Sequence, residues 1–208
     1  MPEPRDDDAQ DADALVDPAV RLRALRTAAA RGDDGAALEL AAALRESGHQ
    51  LEAWHWAGAA ADAGDQVAAG TLSWWRWQET RDPALEPQLR AGAEHSAHAR
   101  ACLGVLLRST GRVQEARAVL EEGVSRGELA SWVPLGNLYR DELRDDVAAA
   151  AAYRAGIDGG DLHAHHDLGV LLLESGDVEG AIEHFSIAAA GGDAPAARVL
   201  REVLAEGD

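Results

Sequence analysis

The chain has 208 residues, 47% hydrophobic but only 4% aromatic, with 21 Gly, 7 Pro and a formal net charge of −18. That length suffices for one domain or one continuous repeat array with a sizeable core. All 19 basic residues are Arg in a strongly acidic chain, and an acidic surface repels phosphates, so nucleic acid and anionic membranes are excluded as expected partners.

The opening Met1-Pro2-Glu3-Pro4-Arg5-Asp6-Asp7-Asp8 does not read as a signal peptide. No apolar run approaches the ~20 residues of a membrane-spanning helix, so the expectation is a soluble, cytoplasmic protein. Residues 1–17 hold seven acidic side chains and one Arg, which predicts a disordered acidic tail. The remaining residues keep a net charge of −12, so the acidity is not confined to that tail and reads chiefly as solubility.

Residues 18–31 read as a leading helix with Pro18 near its start. A short signature then recurs: a small residue, three residues, and Gly followed by Asp or Glu. It appears as Ala28…Gly32-Asp33, Ala60…Gly64-Asp65, Gly123…Gly127-Glu128 and Ala188…Gly192-Asp193, and with one extra residue as Ala155…Gly160-Asp161. Ser96 stands where the missing copy falls, so the anchors are separated by 32, 32, 31, 33 and 32 residues. A fixed period of this size marks stacked repeats. Gly ends a helix by adopting the left-handed conformation, and the acid after it favours the next helix start.

Each repeat is divided near its middle. Gly48, Gly111 and Gly176 mark the break in the first, third and fifth repeats, and Arg81-Asp82-Pro83 marks it in the second. In the fourth it falls within Asp141 to Asp146, without a Gly. Each repeat is therefore two helices of roughly 12–14 residues, too short to be stable without neighbours. Leu103, Leu106 and Leu107, and again Leu168, Leu171 and Leu172, follow the spacing of one helical face. Residues 194–206 read as a trailing cap. The domain reading is a tail over 1–17 and a solenoid over 18–208, with repeats at about 34–64, 66–95, 97–127, 129–159 and 162–192.

These residues resemble the tetratricopeptide repeat and its Sel1-like relative. The family's first-helix pattern W-x2-L-G-x2-Y is matched by Trp132, Leu135, Gly136 and Tyr139, and more weakly by Leu103-Gly104-x2-Leu107 and Leu168-Gly169-x2-Leu172. The family's second-helix packing positions fall on Ala116, Leu120 and Gly123, on Ala148, Ala152 and Ala155, and on Ala181, Phe185 and Ala188. Residues 34–64 fit the same frame through Gly48, Ala53, Ala57 and Ala60, whereas 66–95 fit poorly. The repeat is shorter than the family's typical ~34 residues, and the Pro that ends the family's second helix is missing. The resemblance implies an all-α fold: a right-handed superhelical solenoid of about five antiparallel helix-pair repeats plus terminal capping helices.

The resemblance further implies a concave groove lined by first helices, and hence a protein- or peptide-binding adaptor. With the repeat Gly as anchor, groove position twelve falls on Arg45, Trp77, Arg108, Arg140 and Leu173. Position nine includes Trp74, Asn137 and Val170; position five includes His166 and position two His163. Three Arg at one structural position suggest a ladder for a partner carboxylate, because Arg grips carboxylates with paired hydrogen bonds. The alternative is that these Arg pair with nearby acids such as Glu46, Asp141 and Glu174.

Trp74, Trp75 and Trp77 admit two readings: core filling in a degenerate repeat, or a surface through which the chain self-associates as a homodimer. Three Trp within four residues do not share one side of a helix, so at least one is expected to be exposed or at an interface. His163, His166 and Asp167 have the spacing of ligands on one helical face, which leaves a metal- or ligand-responsive module as a third reading. Without a second ligand pair, no metal is assigned. Cys102 reads as a small core residue. No phosphate loop, nucleophile elbow, HExxH or CxxC is present, so neither an enzyme nor a cofactor is expected.

Overall fold

The computed structural model describes residues 17–33 and 35–206, so the acidic tail expected over 1–17 lies outside them apart from Asp17. Among the described residues there are twelve α-helices and no strands. They are α1 Pro18–Arg31, α2 Ala36–Glu46, α3 Gln50–Asp62, α4 Gln66–Thr80, α5 Glu86–Ala93, α6 Ala97–Ser109 and α7 Val113–Ser125. The chain continues as α8 Trp132–Leu138, a π-helical turn Tyr139–Leu143, α9 Asp146–Asp158, α10 His163–Glu174, α11 Val178–Ala190 and α12 Ala194–Glu206. Short 3-10 turns at Pro83–Leu85 and Leu129–Ser131 precede α5 and α8. The fold is all-α, a solenoid of tandem helix pairs bounded by the single helices α1 and α12. No helix among the described residues is long and apolar enough to cross a membrane.

The chain forms two compact units, residues 1–72 and 73–208, divided within α4. In the first unit α1 packs on α2 and α2 on α3. Ala53 and Ala57 are fully buried beside Leu40 and Leu44, so this core is built from Leu and closely approaching Ala. In the second unit α5 to α12 pack in succession, and the first helices α6, α8 and α10 also contact one another in turn.

Local chemistry sets the helix ends. The anchor glycines Gly32, Gly64, Gly127, Gly160 and Gly192 all have positive φ, as do Gly48, Gly111 and Gly176 at the mid-repeat breaks. Asp17 accepts a hydrogen bond from the Ala19 amide at 2.9 Å, so it caps α1. Asp65, Asp161 and Asp193 likewise accept from the amides of Val67, His163 and Ala196. Asp33 and Glu128 follow an anchor glycine without capping; they pair with Arg31 and Arg100.

The two repeats without a mid-repeat glycine still make the left-handed turn. Arg81 has φ 52° and Arg144 has φ 55°. This conformation costs an L-residue roughly 1–2 kcal/mol. Arg144→Gly is therefore expected to raise stability by about 0.5–1 kcal/mol, after allowance for glycine's larger entropy loss on folding. Arg81→Gly is expected to give less, because the Arg81 guanidinium lies 4.2 Å from the centre of the Trp77 ring and that contact would be lost. Urea midpoints of the two variants check this; equal gains would show that the Trp77 contact contributes nothing.

The fourth repeat departs from the expected frame. The packing positions read as Ala148, Ala152 and Ala155 are taken instead by Ala149, Tyr153 and Gly156. Ala149 and Tyr153 are fully buried, and Gly156 lies against Ala164. The cause is the π-helical turn, whose Asp145 amide bonds to the Tyr139 carbonyl and adds one residue before α9 begins. Every later contact in α9 moves by one position. The equivalent contacts Gly104 with Leu120 and Gly169 with Phe185 follow the expected frame.

A charged cluster joins the second helices of the second and third repeats. Arg112 reaches Glu86 at 2.8 Å and Glu115 at 2.6 Å, while Arg90 reaches Glu86 at 2.8 Å. Hydrogen bonds from Arg112 and then Arg90 hold the Glu86 carboxyl below its ordinary value, and Arg112 does the same for Glu115. A depressed carboxylate contributes stability above its unfolded pKa of about 4.3, and that stability is lost as pH falls through the folded value. The deficit of Arg112→Ala in thermal midpoint is therefore expected to be largest at neutral pH and to vanish below about pH 3. A deficit independent of pH would assign Arg112 a packing role instead.

Candidate functional site

The candidate surface is built on the adjacent first helices of the second unit. Arg108 lies in the last turn of α6, Asn137 on α8, Arg140 and Asp141 in the π-helical turn, and His166 on α10. Arg108 and Arg140 converge on one carboxylate. Arg108 Nη2 is 2.6 Å from Asp141 Oδ2, and Arg140 Nε is 2.8 Å from Asp141 Oδ1. Arg108 also meets Glu142 at 3.2 Å. Glu174 contributes no ion pair among the described residues. Arg140 Nη1 is buried and has no hydrogen-bond partner.

Beneath this cluster, the Tyr153 hydroxyl donates to Asn137 Oδ1 at 2.6 Å. Asn137 is thereby held from below by the second helix of its own repeat. Burial pushes the Tyr153 hydroxyl and the Asp167 carboxyl above their ordinary values, with His166 and Arg140 opposing the shift at Asp167. The surface is thus a compact set of cations and acids.

The other candidate residues are placed differently. Arg45 is half-buried in the last turn of α2, in the first unit. Val170 and Leu173 pack against the Ala181, Phe185 and Ala188 core of the last repeat. Trp77, expected to face the groove, is 4% exposed and belongs to the core around Leu89, Leu103 and Leu107. Trp75 is 3% exposed, and Trp74 is half-buried with its ring stacked on His98 at 4.6 Å. The expectation that one of these three rings would be exposed is therefore corrected: a helix covered on more than one face buries rings that point in different directions.

The histidines divide into two sets. His166 and His163 lie 3.5 and 3.8 Å from the Asp193 carboxylate that caps α12. His165 and His184 meet through their Nδ1 atoms at 2.8 Å. Among the described residues, no group of three or more His, Cys, Asp or Glu side chains is placed to hold a metal ion. Cys102 is buried, and burial pushes its thiol up to about 12, which keeps it protonated and unreactive at neutral pH.

The position-by-position reading missed Arg100, which is 2% exposed. Its Nε is 2.9 Å from Glu128, its Nη1 is 3.5 Å from Glu122, and its Nη2 donates to the Ala93 carbonyl. The available signal was its spacing from Leu103 and Leu107, which puts a charge on the apolar stripe of α6.

No protein-family model and no curated protein sequence matches the chain. Solved structures do. A chain of the APC/C hetero-tetramer Cut9–Hcn1 aligns with 90% of this chain at TM-score 0.72 and 18% identity, and this chain spans 39% of its length. A sel1 repeat protein from Klebsiella pneumoniae subsp. pneumoniae aligns with 88% of this chain and 98% of its own, at TM-score 0.65 and 20% identity. A Sel1 repeat protein from Oxalobacter formigenes aligns with 94% of this chain and 81% of its own, at TM-score 0.58 and 26% identity.

Proposed function

The chain has the tetratricopeptide and Sel1-like repeat fold, and from that premise we propose that it is a non-enzymatic cytoplasmic adaptor that binds a protein or peptide along α6, α8 and α10. One observation carries the reading: Arg108 and Arg140, from successive repeats, are spaced to hold a single carboxylate between them, the place taken internally by Asp141. A partner carboxylate competes for the same donors, and Asn137 and His166 flank them. Guanidinium groups suit this exchange because they bind carboxylates in fixed, directional geometry.

A synthetic peptide array probed with the full chain provides the test. Acidic peptides that bind are expected to lose at least about tenfold in affinity with Arg108→Glu and Arg140→Glu. Asp141→Asn, which removes the internal competitor, is expected to tighten them. Affinity unchanged in all three variants would sink the assignment. The alternative of self-association through the second repeat loses its main support, since Trp75 and Trp77 are buried.

A further inference from the structure

The first unit contains a cleft of about 570 Å³, unrelated to the Arg108–Arg140 surface. Its wall includes Leu38, Trp56, Ala59 and Ala63, and its rim carries Asp33 and Asp65. This volume is within the range of ligand-binding clefts, and apolar walls with a few charged groups are typical of them.

Other repeats of the same chain indicate what belongs there. Two residues after the left-handed Gly127 stands Leu129, whose side chain lies against Gly159 at the end of α9. Two residues after Gly160 stands Leu162, which lies against Gly191 at the end of α11. Each leucine thus covers the last turn of the second helix in its own repeat. In the first repeat the matching helix-end residue is Ala63, just before Gly64, and it lines the cleft. The residue two after Gly32 is Asp34, so at this register the sequence carries an acid in place of the leucine.

We propose that the cleft is a docking site for an aliphatic side chain of a basic partner peptide, a leucine flanked by Arg or Lys. The leucine takes the place that Leu129 and Leu162 take in their own repeats, and Trp56 and Ala59 supply apolar contact around it. The basic flanks meet Asp33 and Asp65. Asp33 already holds Arg31 at 2.6 Å, but both side chains are well exposed, so a second cation is not shut out. Asp65 caps α4 through the Val67 and Ala68 amides, which fixes its carboxylate at the rim. The acidity of the chain as a whole favours approach of a basic peptide and disfavours an acidic one.

The probes are two synthetic peptides, acetyl-Arg-Leu-Arg-Leu-Arg-amide and its Glu counterpart, titrated into the full chain. The readout is the indole N–H resonance of Trp56, assigned by its loss in Trp56→Phe. A saturable shift is expected with the Arg peptide and at least about tenfold weaker binding with the Glu peptide. Ala63→Leu, which fills the cleft from the chain itself, is expected to weaken the Arg peptide by a similar factor. Ala59→Leu is a second blocking variant at an exposed site should the first disturb the fold. No shift with the Arg peptide, equal shifts with both peptides, or undiminished binding in the folded blocking variant would overturn the proposal. A Trp56 resonance that moves with protein concentration alone would assign the cleft to a second copy and overturn it as well.

Discussion

Arg100→Leu is expected to lower the stability of the second unit by about 3–5 kcal/mol. The guanidinium is 2% exposed and joins three places: the carbonyl of Ala93 at the end of α5, Glu122 in α7, and Glu128 beyond it. At the five junctions with an anchor glycine, the residue after that glycine donates its amide to a carbonyl of the preceding helix, as Asp65 does to Ala60 and Asp161 to Gly156. The junction at Ser96 has no such glycine; there the Ser96 amide bonds to Gly92, and the Ala93 carbonyl receives the Arg100 side chain. Arg100 thus replaces a missing backbone turn with a side chain. Removing it strands a carbonyl and leaves Glu128, only 16% exposed, without its cation. Urea unfolding followed by circular dichroism measures the loss. The double variant Arg100→Leu/Glu128→Gln separates the causes: recovery of most of the loss identifies the stranded carboxylate as the origin. A single-variant loss below about 1 kcal/mol would mean that water replaces Arg100 freely.

Tyr153→Ala is expected to cost about 3–5 kcal/mol, comparable to other deletions of a fully buried aromatic ring. The ring is 0% exposed and lies with Leu168, Leu171 and Ala149 in the core of the last repeats, directly against Gly136. Its hydroxyl holds Asn137, so the same change is expected to loosen the Arg108–Asp141–Arg140 surface above it. Tyr153→Phe keeps the ring and removes only the hydrogen bond, for an expected loss of about 1 kcal/mol. Gly136→Ala attacks the same contact from the other side, since a β-carbon there meets the Tyr153 ring; overpacking of this kind costs about 1–3 kcal/mol. Thermal melts of the three variants, with binding measured on those that remain folded, test the series. Equal losses for Tyr153→Phe and Tyr153→Ala would show that the hydrogen bond, and not the ring, holds this repeat.

The parts of this protein that could be read without its structure are those governed by neighbours in the chain. Gly at a left-handed stop and Asp two or three residues before a helical amide act within one turn, so the repeat period and the helix pairs are visible in the residues themselves. The same reasoning located the leading and trailing helices. It also placed Arg108 and Arg140 at one repeat position, while leaving open whether a partner or a neighbouring acid meets them.

The tertiary structure decided everything that depends on which faces are covered. Trp74, Trp75 and Trp77 looked too crowded for one helical side, yet two are buried and the third is half-covered, because burial depends on how many faces of α4 have neighbours. The extra residue at Tyr139–Leu143 shifts the packing from Ala152 to Tyr153, a choice between adjacent positions that only the contact with Gly136 reveals. Asp141 sits between two arginines from different repeats, and Arg100 reaches a helix end from the adjacent repeat, because stacking brings residues distant in the chain within hydrogen-bond reach. Helix period and helix ends are short-range and are written in order along the chain; ion pairing and burial are set by distances that exist only once the repeats are stacked.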